Sequence, residues 1–186
     1  MKYIYLKTIG TMETSIVEDL KRSLSLLIPF SLRCVYDNEY PLFAFEPERN
    51  QYYAKKIIVK LASEIPHDCE KLIAITDVDL CTPVLTFVYG EAQLGGKVAI
   101  VSMNRLEKEY YYLPPGNTTL LVDRLVKECI HELGHCYGLF HCHDSQCVMF
   151  FSNSIFTIDN KQKRFCMKCK EFFERQIGKE HNHAEK

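Results

Sequence analysis

The chain has 186 residues, of which 47% are hydrophobic and 25% charged, with a net charge of −1. That length fits one domain with a sizeable core and room for a smaller second lobe. The near-neutral balance without a basic stripe speaks against nucleic acid as a partner, and the lack of a long apolar run speaks against a membrane span.

The opening MKYIYLKTIGTMETS carries Lys2 and Lys7 and builds no signal-peptide core, so a cytoplasmic location is expected. Tyr3–Ile9 predicts a strand bounded by Gly10. Apolar residues at 16, 17, 20, 24, 27 and 28 make a helical stripe over Ser15–Ile28, stopped by Pro29. Phe30–Tyr36 predicts a second strand, followed by an irregular stretch with Pro41 and Pro47. Gln51–Ile65 predicts a helix closed by Pro66. Lys71–Thr76, Val84–Tyr89 and Lys97–Met103 predict three more strands, the last two joined by GEAQLGG as a hairpin with one antiparallel member. This order implies an α/β fold with a mixed, mostly parallel twisted sheet packed with helices. Beyond Pro114–Pro115–Gly116 a long helix is expected, capped by Asn117 or Thr118 and running to about Tyr137. A last helical stretch falls near Lys163–Ile177. We divide the chain into an N-terminal α/β subdomain, residues 1–139, and a small zinc-stabilised C-terminal subdomain, residues 140–186.

On the long helix, Val122, Leu125, Val126, Cys129, Ile130, Leu133 and Cys136 share one stripe, while His131 and His135 fall opposite it. Two imidazoles one turn apart can grip one ion. Glu132, one step round the helix, is placed to reach a metal-bound water rather than the metal. That is the chemistry of H-E-x-x-H, in which zinc lowers the pKa of water and the glutamate takes its proton. The bare pattern also fits a pair of surface histidines. Its continuation narrows the reading: Gly138 can end the helix and turn the chain back, which lets His141 supply a third nitrogen. Three protein ligands leave a fourth position open, as a catalytic zinc needs.

Six of the nine cysteines fall between residues 129 and 169. Cys142, Cys147 and the CxxC of Cys166 and Cys169 read as a closed four-cysteine zinc site, giving two zinc ions per chain. Two disulfides, or a redox CxxC, are the competing readings. Cys129 and Cys136 lie on the apolar stripe and read as core filler.

HELGHCYGLFH resembles the extended metzincin signature HExxHxxGxxH at every fixed position. That resemblance implies a buried methionine turn, for which Met149 in CVMF is the candidate. With Cys142, Cys147 and the late CxxC added, residues 131–169 resemble the archaemetzincins. The resemblance implies a zinc metallopeptidase acting on peptide or protein substrates, with a histidine-bound catalytic zinc, Glu132 as general base and a cysteine-bound second zinc. The competing reading is a non-catalytic, zinc-organised peptide-binding module. The sequence carries no signal for an oligomeric state.

Weaker candidates are Asp77 and Asp79, which follow a strand but more often cap a turn. VYGEAQLGG is a candidate edge strand for pairing with an extended peptide. Tyr110–Tyr112 are a candidate aromatic wall. His143 reads as a surface residue, and His67, His181 and His183 have no partners by spacing.

Overall fold

The computed structural model describes residues 2–108 and 118–183. Strands β1 (Tyr3–Ile9), β2 (Leu32–Val35), β5 (Cys69–Thr76), β7 (Gly90–Ala92) and β8 (Val98–Ser102) form a five-stranded sheet in the order β2-β1-β5-β8-β7. All neighbouring pairs are parallel except β7 with β8. The expected mixed, mostly parallel sheet is therefore present. Helix α1 (Thr14–Ser25) crosses from β1 to β2, and α2 (Ala54–Ala62) precedes the central strand β5.

β5 is buried at all eight positions because helices cover both faces of the sheet. Its odd positions, Ile73 and Ile75, pack with Leu20, Leu24, Leu125 and Ile130 from α1 and α4 (Thr118–Cys136). Its even positions, Leu72 and Ala74, pack with Ile57, Ile58 and Leu61 from α2. The cluster under α4 also takes in Cys147, Ile155, Ile158 and Phe173, so the segment beyond residue 140 packs on the same core as α1.

Several elements differ from expectation. Gln51–Tyr53 is not the start of a helix but a short strand, β4, which pairs with β3 (Phe45–Glu46) and β6 (Leu80–Cys81) in a second, three-stranded sheet. Strands of two or three residues are too short to show a period in sequence. The predicted strand over Val84–Tyr89 is irregular instead, with a single bridge from Val88 to Leu80. Its carbonyls turn to side chains. Arg49 donates to Thr82, Leu85 and Thr86 (2.7, 2.6 and 2.8 Å), and Gln51 donates to Thr86 (2.9 Å). The hairpin survives, but its first strand is β7, inside the stretch read as the connection. Short helices α3 (Asn104–Lys108) and α5 (Ile155–Asn160) were not expected, and α6 (Met167–His183) begins four residues later than predicted.

α4 is buried on nearly every side rather than along one stripe. Its charged residues Arg124 and Lys127 reach α5: Arg124 forks onto Asp159 at 2.7 and 2.6 Å, and Lys127 donates to the Asp159 carbonyl. No helix among the described residues is long and apolar enough to cross a membrane.

Candidate active site and metal centres

α4 carries His131, Glu132 and His135, and the turn that ends it carries His141. Leu139 N–H donates to the Gly134 carbonyl (3.0 Å) and Gly138 N–H to the His135 carbonyl (2.9 Å), with Gly138 at φ 84°. This pair of bonds is a Schellman cap, and its left-handed residue suits glycine because no Cβ meets the backbone. The cap folds the chain back over the helix. The three imidazoles then converge, with ring centroids 4.7, 4.9 and 5.3 Å apart. One nitrogen from each lies within 4.8 Å of the other two.

Backbone carbonyls set the ring orientations. His131 Nδ1 is 2.8 Å from the Val148 carbonyl, and His135 Nδ1 is 2.7 Å from the Leu139 carbonyl. A carbonyl only accepts, so each Nδ1 carries the proton and each Nε2 presents a lone pair. The two Nε2 atoms stand 3.1 Å apart. Facing lone pairs at that distance repel unless a cation or proton lies between them. Tetrahedral zinc with Zn–N near 2.0–2.1 Å sets its nitrogens about 3.3–3.4 Å apart, so the donor set fits such an ion. Burial holds all three imidazoles below their ordinary range, His131 furthest. It thereby keeps them in the neutral form that metal binding requires.

Glu132 is 4% exposed. Burial, reinforced by Glu128 and Glu91 and opposed by Lys161, pushes its carboxyl well above the usual range. Met149 is wholly buried, and its sulfur packs against Gly134 of α4. The histidines and Glu132 floor a cleft of about 690 Å³. One bank is the 82–89 segment and β7; the other is Phe140, Phe151, Ser152 and Asn153.

The second cluster lies one peptide bond beyond His141. The sulfurs of Cys142, Cys147, Cys166 and Cys169 all fall within 4.8 Å of one another. Cys142 and Cys166 Sγ are 3.8 Å apart. That is far beyond a disulfide but matches the separation of about 3.8 Å that tetrahedral zinc with Zn–S near 2.3 Å imposes. All nine cysteines are free thiols. Backbone N–H groups of Asp144 and Cys166 point at Cys142 and Cys147 sulfur (3.5 and 3.2 Å), an arrangement that favours thiolates.

The sequence pattern of peptidase family M54 matches residues 7–175. The chain belongs to peptidase family M54. It is 42% identical to an archaemetzincin of Methanocaldococcus jannaschii over 131 residues, 70% of each chain. It is 36% identical to an archaemetzincin of Pyrococcus furiosus over 178 residues, 92% of each chain. Its fold is similar to the crystal structure of a zinc-dependent peptidase from Methanocorpusculum labreanum, with a TM-score of 0.81 and 32% identity over 91% of this chain and 99% of that one. As an M54 member the chain is a zinc metallopeptidase, which sides with the enzyme over the binding module.

Of the weaker candidates, the 88–94 stretch lines the cleft, whereas Asp77, Asp79, His67 and His143 do not. Asp79 is gripped by Arg105 (2.7 and 2.8 Å) and Gln51 (2.9 Å), and Asp77 accepts from Tyr40 (2.9 Å), so both brace loops. His143 and His67 are exposed and lie outside the histidine group. Cys129 and Cys136 are wholly buried core residues. Tyr110–Tyr112 lie outside the described residues, as do the side chains of His181 and His183. Two features at the site were not read from sequence. Glu128 and Lys161 form an ion pair at 2.9 Å, 4% and 0% exposed, beside Glu132. Gly90 abuts the Glu132 side chain. Both arise from contacts between distant segments, for which a single sequence carries no local signal.

Proposed function

We propose that this M54 chain cleaves peptide bonds with His131, His135 and His141 as ligands of a catalytic zinc and Glu132 as general base. A second, structural zinc is held by Cys142, Cys147, Cys166 and Cys169, giving two ions per chain. The observation that carries the reading is the facing pair of Nε2 lone pairs, 3.1 Å apart, with a buried carboxyl on the same helix. When bound, zinc supplies a Lewis acid that polarises the peptide carbonyl and brings a water proton within a carboxylate's reach near neutral pH. Glu132 takes that proton as the water attacks and returns it to the departing amine.

β7 is the last strand of the five-stranded sheet and borders the cleft. An extended substrate can add to it by main-chain hydrogen bonds. Val84, Leu85, Leu94, Phe140 and Phe151 are exposed along the cleft, which favours apolar side chains in that substrate. Digestion of a peptide library with the native chain and with Glu132→Gln tests the reading, alongside elemental analysis. The native chain should cleave and the variant should be slower by about two orders of magnitude or more. Both should hold two zinc ions. Equal cleavage by the variant would overturn the assignment of the base.

A further inference from the structure

Gly90 sits in β7 where that strand passes α4. A Cβ placed on it would lie 2.7 Å from Glu132 Oε1, 2.8 Å from Cγ and 2.9 Å from Cδ. Real Cβ atoms do not approach other atoms so closely. Gly90 is not among the glycines with positive φ, so space rather than backbone conformation demands glycine here. Strand and helix are both fixed by their pairing and packing, so only the Glu132 side chain could give way. β7 is paired to β8 through Gly90 and Val101, and the flanking Tyr89 carbonyl accepts from Ser102 N–H at 2.8 Å. Glu132 is buried on a helix whose neighbouring Ile130 and Leu133 are locked in the core. Its Cγ and carboxyl therefore lie in a slot between strand and helix that leaves no room for a Cβ at position 90. Glycine in a strand is ordinarily unfavourable, since it adds backbone entropy and no packing.

We propose that Gly90 is a positioning residue for Glu132. By carrying no side chain it lets the cleft-edge strand lie directly against the base, so that a peptide paired to that strand meets the carboxyl at a fixed distance. The positioning role rests on Glu132 being the base, whereas the slot itself does not.

The test is a double-mutant cycle on the zinc-loaded full chain: native, Gly90→Ala, Glu132→Ala and the double variant. Gly90→Ala should lower the melting temperature by about 3–8 °C where Glu132 is present. In the Glu132→Ala background it should leave the melting temperature unchanged or raise it. Equal losses in both backgrounds would remove the slot. If Gly90→Ala alone does not fold, the double variant should fold, and its failure to do so counts against the slot equally. Where the single variant folds, its kcat on a cleaved library peptide should drop at least about tenfold with KM within about twofold and zinc content unchanged. Coupled stability with unchanged kcat would reduce Gly90 to a packing spacer and overturn its role in catalysis. A native chain that cleaves nothing would overturn the role of Glu132 as base, while the melting data would still decide the slot.

Discussion

Replacing Lys161 by Met removes the cation from a buried pair and leaves its partner carboxylate behind. Lys161 Nζ is wholly buried, 2.9 Å from Glu128 Oε1 though outside hydrogen-bond geometry, and 3.5 Å from the Phe150 carbonyl. Glu128 and Glu132 lie four apart on α4, so without Lys161 two buried carboxyls face each other across one helical turn. Breaking a buried pair from one side costs about 3–5 kcal/mol, because the surviving buried charge loses its counter-ion. For a chain of this size each kcal/mol moves the melting temperature by about 2–4 °C, so Lys161→Met should melt about 6–20 °C lower. Adding Glu128→Gln to Lys161→Met removes the stranded charge and should recover most of that loss. Urea melts of the four zinc-loaded proteins give the cycle directly. A single-variant loss below about 1 kcal/mol, or losses that simply add in the double variant, would refute the argument from the stranded charge.

Other perturbations test the metal centres. Cys169→Ser should lower stability and also weaken zinc at the histidines, because Cys142 follows His141 directly and its N–H is tied to the Met149 carbonyl at 2.9 Å. Elemental analysis should then give less than one zinc per chain, and one full ion with only a lower melting temperature would refute the coupling. Burial holds the imidazole pKa values down, so their neutral form persists below the ordinary value of about 6.5 and is lost only as pH falls through the lowered values. Histidine-bound zinc should therefore survive dialysis at pH 6.5 and leave at lower pH; complete loss at pH 6.5 would contradict the ligand set. Gly134→Ala would stabilise an open helix by about 1 kcal/mol. Here the new methyl would overlap the Met149 sulfur and come within 3.2 Å of Phe165. Overpacking of about 1–3 kcal/mol should more than cancel that gain, and a higher melting temperature would show that the methionine does not press on the helix.

The convergence of the three histidines was legible because their spacing is set by local geometry: one helical turn from His131 to His135, and one glycine turn to His141. β1, β5 and β8 were legible because each is long and strongly apolar. The 82–89 segment was not, since its apolar residues read as a strand while Arg49 and Gln51, more than thirty residues upstream, take its carbonyls. Lys127 and Glu128 are buried against α5 and Lys161, contacts between distant segments that no local pattern announces. Gly90 read as part of a connection because nothing local shows that a carboxyl from residue 132 lies beside it.

The acceptors that hold His131 and His135 in register belong to the main chain, at Val148 and Leu139. Many zinc enzymes use an aspartate or glutamate there, which one codon change can delete. Here no side-chain replacement at 148 or 139 removes the acceptor; only displacement of the polypeptide itself can do so. The tautomer of each imidazole is thus insulated from drift at those two positions, where packing in the core rather than hydrogen bonding limits the side chain.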